Sequence, residues 1–476
     1  MALLLCTAAS VASMSAAAAC APPCYELATE APIAAVDARF LSVTMDGHAF
    51  DRGREPMDFW RPGSKLTRAL AGALQPAFIR FGGSSHSVLT YNMSGRPLPP
   101  AGHLPPPALP PLPPPAYQPP APTTAMSAAQ WREINAFCSA VGWTNLFALN
   151  ALLRVADGSE SGRWDSGPQS AAAQLLRYTF AQNGWAPVVW ELANEPDLLH
   201  YAYKIADHSV FPVPPRQLVR DHAALRALIA SLSPAAAKQP LQVVGPDVAN
   251  AGPTGGEKYW REYFGNQSAM AARGVDAATW HHYYGSSKTA TLADTHSPAV
   301  LDKFLAQQTT MAAALAESTH GRPPPIWLGE TSSFYGGGAA NVSDRFGAGF
   351  TWLDKLGAAA RLNVSVVCRQ AWMGGQYSLI QYTTFRPLPD YWASVLHKRL
   401  MATAVLDVRG SLEPGRTLRV WASCAHANAA APAGSVTLLV LNTQPADSTV
   451  EPVDATGRNL LAGGWDEYLL TPADKT

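Results

Sequence analysis

Eight short apolar runs that alternate with longer helix-like stretches constrain the fold of this chain more than any other feature. The runs cover residues 40–44, 78–81, 146–149, 188–192, 241–244, 278–281, 326–329 and 364–369. Helical patterns cover residues 127–140, 171–182, 215–232, 299–318 and 344–362. Eight strands with intervening helices predict an α/β fold of the (β/α)8 TIM barrel type. Periodicity alone does not separate this barrel from a doubly wound sheet.

The pattern changes after about residue 400. Segments 418–422 and 435–441 read as strands joined by turns rich in Ala, Pro and Gly, which favours a small β-sandwich. We therefore predict a catalytic barrel over residues 36–400 and a partial C-terminal β-sandwich over residues 401–476.

A proline-rich segment interrupts the barrel pattern. Residues 97–122 contain fourteen of the 41 prolines, so the segment cannot form a helix or a central strand. We predict an extended polyproline linker over residues 97–125, on the surface. The functional alternative is a ligand for a proline-binding module.

Composition and short sequence signals restrict which binding partners and which cellular location we expect. Lys+Arg and Asp+Glu balance at 35 each, so nucleic acid is a poor candidate partner, although a local basic groove for a sulfated polysaccharide stays open. Residues 1–19 are apolar and then small, which predicts a signal peptide that lacks the usual n-region charge. The alternative is a disordered Ala-rich leader. No later stretch has 18 clean apolar residues, so we expect no integral membrane span. Asn-X-Ser sequons at Asn92, Asn266, Asn341 and Asn363 fit a secreted glycoprotein.

The cysteines stand at positions 6, 20, 24, 138, 368 and 424. Loss of Cys6 with the signal peptide leaves an odd number, hence at least one free thiol. Cys20 and Cys24 could pair locally. The absence of a C-x-x-C pair argues against a structural zinc site.

Two glutamates follow the fourth and seventh predicted strands. The fourth runs into W-E-L-A-N-E-P, which ends in Asn194, Glu195 and Pro196, and the seventh runs into W-L-G-E-T-S-S, which contains Glu330. Ends of different barrel strands converge on one face. Two facing carboxyls there suit glycosidic cleavage, since one donates a proton and the other attacks the anomeric carbon. We predict a retaining mechanism that uses no metal and no cofactor.

Other polar motifs have more ordinary explanations. A lone Asn-Glu-Pro is more often a turn than a catalytic site. Strand alternation places Glu191 on a different face from Asn194, which favours a structural role. His281 and His282 should point to opposite faces, one ring toward the site and one into the surrounding shell, so a shared metal is not expected. Tyr283 is a candidate hydrogen-bond donor to Glu330. Three consecutive glycines at 336–338 could offer backbone N–H groups to an anion, but they lack the rest of a phosphate loop.

Several ordered motifs resemble the heparanase family, glycoside hydrolase family 79, whose members cleave heparan sulfate as retaining endo-β-glucuronidases. They are F-I-R-F-G-G at 78–83, W-E-L-A-N-E-P at 190–196, V-G-P-D-V at 244–248, T-W-H-H-Y-Y at 279–284, W-L-G-E-T-S-S-F-Y-G-G-G at 327–338, F-T-W-L-D-K-L-G at 350–357 and P-L-P-D-Y-W at 387–392. The resemblance implies a sandwich built from both chain ends, with residues 20–35 contributing an N-terminal strand. It assigns Glu195 as proton donor and Glu330 as nucleophile. It places Asn194 beside the sugar 2-OH and implies that Gly336, Gly337 and Tyr377 hold the uronic acid carboxylate. The further substrate contacts that we expect are Asp46, Tyr283, Lys288, Gln370 and Gly375.

The chain also departs from the family pattern. The polyproline run stands where animal heparanases carry an excised linker, and the basic residues after G-P-D-V are replaced by A-N-A-G-P-T-G-G at 249–256. The resemblance also implies further sandwich strands and a partner for Cys424 beyond Thr476, so we expect a truncated sandwich with exposed edges. Endo-cleavage of heparan sulfate or another glucuronic-acid glycan, outside the cell or in the lysosome, is the leading hypothesis. An exo-β-glucuronidase and a glycan-binding paralogue with weak turnover are the alternatives.

Overall fold

The computed structural model describes residues 3–8, 25–46, 60–94, 119–182, 184–252, 255–270, 274–429, 431–446, 448, 452–454, 457 and 459–472. Its strands, numbered in chain order, are β1 (Leu3–Ala8), β2 (Glu26–Ala28), β3 (Ala34–Ala35), β4 (Leu41–Asp46), β5 (Ala77–Gly82), β6 (Leu89–Asn92), β7 (Thr124–Ser127), β8 (Trp143–Leu149), β9 (Arg154–Val155), β10 (Arg163–Trp164), β11 (Val189–Leu192), β12 (Val243–Val248), β13 (Ala277–His282), β14 (Ile326–Thr331), β15 (Val364–Arg369), β16 (Met401–Arg409), β17 (Leu418–Ala425), β18 (Val436–Asn442), β19 (Val453–Asp454) and β20 (Trp465–Leu470).

The α-helices are α1 (Lys65–Gly72), α2 (Ala128–Val141), α3 (Ala171–Phe180), α4 (Leu199–Ala202), α5 (Pro215–Leu232), α6 (Gly256–Ala269), α7 (Pro298–Ser318), α8 (Ala348–Arg361) and α9 (Pro389–Leu400). Local sequence explains their ends. Ser127 and Gln130 form a capping box at the start of α2, and Gly142 ends it with φ 71°, a conformation that glycine adopts without strain. None of the described helices has the length and apolar character that a bilayer span requires.

Eight parallel strands close into a barrel, which confirms the predicted fold class. Their order around the barrel is β11, β12, β13, β14, β15, β4, β5 and β8. All eight predicted strands are present. The largest difference is at β12, which runs four residues beyond the predicted end at 244 and contains an irregular register between Pro246 and Val248. The helix predicted over 344–362 begins only at Ala348.

The chain divides into two compact units. One contains residues 42–282 and 310–330, and the other contains residues 1–41, 283–309 and 331–476. In the first unit, β6 pairs in parallel with β7, so the strands on either side of the proline-rich segment lie next to each other. Residues 95–118, most of that segment, lie outside the described residues.

The second unit contains a sheet whose strands pair antiparallel, except that β19 pairs in parallel with β2. Its path runs β19, β2, β16, β17, β18, β1 and β20, and β3 pairs with β16. Alternate residues such as Val420, Ala422 and Val440 form one buried cluster with Tyr25 and Leu27. On α8, a Cβ at Gly357 would overlap the Trp421 ring, so the helix contacts the sheet closely there. Strand β1 lies within the predicted signal peptide, whose removal stays a prediction, and Cys6, Cys20 and Cys24 have no described side chains.

Candidate active site

Glu195 leaves the end of β11 through an irregular turn. Ala193 and Glu195 have positive φ angles of 86° and 46°, so the chain bends out of the strand and into a 3₁₀ turn at Pro196–Leu198. The Glu195 N–H donates to the carbonyl of Asp247 at 3.0 Å. Its side chain is 22% exposed, so the carboxyl is held at the rim yet reaches solvent.

Glu330 is the penultimate residue of β14. Its Oε2 accepts a hydrogen bond from Arg80 Nη1 at 3.0 Å, and its side chain is 11% exposed. One carboxylate oxygen of Glu330 and one of Glu195 lie within 4.8 Å of each other. The structure therefore brings the two predicted glutamates together, although their strands are separated by more than a hundred residues in the sequence.

Arg80, a fully buried residue of β5, lies at the centre of the charged groups. Its Nε donates to Glu191 at 2.7 Å, and Nη2 donates to Asn194 Oδ1 at 2.9 Å and to Asp247 Oδ2. Burial opposes its charge, but the surrounding carboxylates raise its pKa well above the ordinary value. The guanidinium therefore stays charged and favours the ionised form of the Glu330 that it contacts.

Glu191 and Asn194 both contact Arg80, so the prediction that they face apart is wrong. The left-handed turn at Ala193 breaks the alternation on which that prediction rested. Burial raises the pKa of Glu191 well above its ordinary value, in spite of Arg80. This carboxyl lies beneath the rim and has no exposed surface, so it supports the site and does not reach a substrate.

His281, on β13, connects two carboxyls. Its Nδ1 lies 2.9 Å from Glu195 Oε1, and its Nε2 lies 2.9 Å from Asp247 Oδ2. Burial alone would lower the pKa of His281, but Asp247 and Glu330 raise it well above its ordinary value. His282 instead packs edge-on against Trp280, with ring centroids 5.9 Å apart. One histidine faces the site and the other packs behind it, as predicted.

Among the described residues, Glu195, His281 and Glu330 form the one trio whose donor atoms are close enough to share a metal ion. A ligating imidazole must present an unprotonated nitrogen. Both nitrogens of His281 face carboxylate oxygens, and its raised pKa keeps both protonated. The donor set fits an ion-pair network better than a metal centre.

Asn194 and Asp46 lie on either side of Gly83. Asn194 is buried, and its Oδ1 accepts from the Gly83 N–H at 3.0 Å as well as from Arg80. The Asp46 carboxylate accepts from Ser85, and a Cβ at Gly83 would lie 2.9 Å from it. Gly83 also has a φ of 92°, so glycine is required there on two counts.

The second unit brings together the residues expected to bind a carboxylate. The Gln376 N–H donates to the Gly337 carbonyl at 2.6 Å, and a Cβ at Gly375 would lie 2.6 Å from the same oxygen. Tyr283 stacks on Tyr377, with centroids 6.3 Å apart.

The remaining predicted contacts lie around these loops. Ser287, next to the exposed Lys288, donates through Oγ to the Gly336 carbonyl at 3.2 Å. Gln370 is buried, and its N–H donates to Thr331 at 2.8 Å. The hydrogen bond predicted between Tyr283 and Glu330 stays a prediction.

Arg80, Asp247 and Lys355 are residues that sequence reasoning did not assign. A clear signal was present for Arg80, the one charge in the apolar stretch F-I-R-F. The signal was weaker for Asp247 in V-V-G-P-D-V and for Lys355, which follows Asp354 in W-L-D-K-L. Lys355 is buried on α8 and donates to Thr331 Oγ1 at 2.7 Å and to the Ser332 carbonyl at 2.6 Å. Burial, reinforced by Arg369, lowers its pKa well below the ordinary value. It therefore anchors the chain directly after Glu330.

Comparison with known proteins shows which family and which relatives the chain is similar to. Residues 120–357 match the model of the glycosyl hydrolase family 79 N-terminal domain. The chain is 32% identical to heparanase of Gallus gallus, over 94% of this chain and 85% of the relative. It is 33% identical to hyaluronoglucuronidase of Hirudo nipponia, over 69% and 62%. A 4-O-α-L-rhamnosyl-β-D-glucuronidase from Fusarium oxysporum 12S shares the fold, with a TM-score of 0.60 at 16% identity over 90% of this chain and 82% of that one.

Proposed function

The chain belongs to glycosyl hydrolase family 79, and on that premise we propose that it hydrolyses β-glucuronidic linkages by retaining double displacement. Glu195 is the acid/base and Glu330 the nucleophile. The observation that carries this proposal is the approach of their carboxylate oxygens to within 4.8 Å. Retaining glycosidases hold their two carboxyls about 5–5.5 Å apart, whereas inverting enzymes leave room for a water between them at about 6.5–9.5 Å.

The surroundings of the two glutamates support the division of roles. Glu330 accepts from the permanently charged Arg80, which favours the ionised state that a nucleophile needs. Glu195 is more exposed, and one of its oxygens accepts from His281. Its second oxygen is then available to exchange a proton with the leaving group and later with water.

The reaction follows from these roles. Glu330 attacks the anomeric carbon while Glu195 gives its proton to the departing glycosidic oxygen, which leaves a glycosyl ester on Glu330 and an ionised Glu195. A water then loses a proton to Glu195 and attacks the same carbon. Glu330 departs as a carboxylate, and the product keeps the β configuration. Asn194 lies within this network and is suited to contact the sugar 2-OH.

We further propose a glucuronic-acid polysaccharide of the heparan sulfate type, cleaved internally, as the substrate. The relatives include heparanase and hyaluronoglucuronidase. The glycine loops at 336–338 and 374–375 have positive φ values throughout, an arrangement that can direct backbone N–H groups at a carboxylate. Tyr377 and the exposed Lys288 belong to the same unit.

The test compares matched isosteric variants. Glu330→Gln and Glu195→Gln should each lose nearly all hydrolysis of heparan sulfate, while the wild type also cleaves an aryl β-glucuronide in preference to the aryl β-glucoside. With an aryl glycoside whose leaving group needs no proton, only Glu195→Gln should retain the first step. NMR of the first product formed should show the β anomer. Undiminished turnover in Glu330→Gln, or an α product, would overturn the mechanism.

Product size decides between the modes of action. Endo-cleavage gives a rapid fall in the size of heparan sulfate on gel filtration. Release of glucuronate from the aryl substrate with an unchanged polymer would support an exo-glucuronidase instead. Cleavage of neither, with retained polysaccharide binding, would support a glycan-binding paralogue. Hyaluronan, digested in parallel, tests the choice of polymer.

We also propose that the protein is a secreted or lysosomal glycoprotein. Asn341 and Asn363 are exposed sequon residues, as glycan attachment requires. Expression in a secretory host should give protein in the medium whose mass falls on treatment with an N-glycanase. Retention of the chain in the cytosol would contradict this proposal.

A further inference from the structure

One carboxylate oxygen of Asp247 contacts two cationic side chains, Arg80 and His281. Asp247 Oδ2 accepts from Arg80 Nη2 and lies 2.9 Å from His281 Nε2. All three side chains are fully buried. Arg80 and His281 outweigh the cost of burial and lower the pKa of Asp247 from 3.8 to about 2. The carboxylate is therefore an anion held between two positive groups.

The backbone is shaped to put Asp247 there. Asp247 has a φ of 64° and lies at the register irregularity of β12, and such bulges redirect side chains next to active sites. A Cβ at Gly329 would overlap Asp247 Oδ1, so the residue before Glu330 must lack a side chain. These features make room for one carboxylate beneath the rim.

Each of the two cations contacts a different reacting glutamate. Arg80 donates to Glu330 at 3.0 Å, and His281 Nδ1 lies 2.9 Å from Glu195. An unbroken path of polar contacts therefore runs from Glu195 through His281, Asp247 and Arg80 to Glu330.

We propose that Asp247 is a positioning residue that couples the two glutamates by holding one cation against each of them. This inference rests on the double displacement proposed above. In the first step a negative charge disappears from Glu330, which becomes an ester, and a negative charge appears on Glu195, which has lost its proton. Asp247 keeps a cation at both ends, so whichever glutamate is ionised faces a positive group.

The variant Asp247→Asn removes the anion and retains the shape. Among the described residues, Glu195, Glu330 and Asp197 then remain as acidic groups that interact with His281, and His281 should titrate at a lower pH because Asp247 no longer favours its charged form. Once His281 is neutral, ionised Glu195 has lost its cationic neighbour. The alkaline limb of the kcat/KM profile should therefore move to higher pH, by about one pH unit.

Two measurements test the coupling. The first is the pH profile of kcat/KM on an aryl β-glucuronide whose leaving group requires a proton, so that the alkaline limb reports the general acid Glu195. The second is NMR titration of the histidine side chains in the protein without substrate. The His281 signal is assigned by its loss in His281→Gln. The matched control is Asp221→Asn, because Asp221 is another buried carboxylate of the same unit, paired with Arg154 at 2.9 Å. It should cost stability without moving either the limb or the His281 midpoint.

The outcomes are distinct. A lower His281 midpoint and a shifted limb in Asp247→Asn, with no additional shift in the double variant with His281→Gln, support the coupling. An unchanged His281 midpoint, or activity reduced equally at every pH, overturns it and makes Asp247 merely structural. If Asp247→Asn does not fold, His281→Gln alone must move the limb upward, and an unmoved limb overturns the proposal. An inactive wild type refutes the proposed function, while the NMR titration still decides the contacts of Asp247.

Discussion

Replacing Arg80 with methionine should convert the centre of the site into three facing carboxyls. Arg80 is fully buried and donates to Glu191, Asp247 and Glu330. Removing one partner of a buried ion pair costs about 3–5 kcal/mol, because the remaining charge is left without compensation. We expect Arg80→Met to lose about that much free energy of unfolding at neutral pH, together with hydrolytic activity.

The dependence on pH separates this cause from loss of packing. Without Arg80, the pKa of Asp247 in the folded state should rise above its unfolded value, since burial then outweighs the remaining attraction of His281. Folding of Arg80→Met then takes up protons. The free energy of unfolding that the variant has lost is therefore greatest at neutral pH, and it is recovered as the pH falls through the raised pKa of Asp247. We expect the deficit to shrink by at least half between about pH 7 and about pH 4.

Urea denaturation across this range provides the assay, and Arg154→Met provides the control. Arg154 is as deeply buried as Arg80, but it pairs with a single carboxylate, Asp221, and otherwise donates to backbone carbonyls of residues 151, 161 and 162. Its variant should be destabilised with a smaller recovery at low pH. A deficit in Arg80→Met that is the same at both pH values, or that is below about 1 kcal/mol, would refute the reasoning.

Three further predictions each concern the replacement of a single residue. Gly329→Ala should reduce activity at least tenfold, because its Cβ would overlap Asp247, whereas Gly63→Ala, in open space, should leave kcat/KM unchanged. Asp354→Asn should cost about 2 kcal/mol in urea denaturation, because Asp354 accepts from Arg419 and Trp421; an unchanged midpoint would contradict this. Burial raises the pKa of Asp197 from 3.8 to about 7, so the contribution of Asp197 to the free energy of unfolding should fall as the pH rises between these values. Asp197→Asn should abolish that fall, which amounts to at most about 4 kcal/mol, and a parallel pH profile would exclude it.

The barrel could be predicted from the sequence because its strands carry a strong local signal. Barrel strands such as 326–331 and 364–369 are buried on both faces, so they appear in the sequence as short apolar runs. The predicted ends of these runs lie within a few residues of the observed strand ends. The extension of β12 to Val248 could not be predicted. Its final residues, G-P-D-V, contain a glycine, a proline and a charge, which normally indicate a turn.

The two glutamates could be predicted because their positions follow from strand order alone. A residue at the carboxyl end of a parallel barrel strand lies at the same face as its counterparts, whatever its neighbours are. The contacts of Glu191 could not be predicted in the same way. Alternation requires a regular strand, but Ala193 and Glu195 have positive φ values, and the Glu195 N–H donates to the distant Asp247 carbonyl.

The charged residues beneath the rim share a pattern that can be applied to other barrels. Arg80, Glu191 and Asp247 are each the single ionisable side chain in an otherwise apolar strand, and all three are buried. A buried charge is tolerated only with a partner, so each such residue implies another one of opposite sign on a different strand. Arg80 alone implies the acids of β11, β12 and β14. A search for isolated charges within barrel strands therefore identifies the layer that supports the catalytic groups, which a search for motifs at strand ends does not reach.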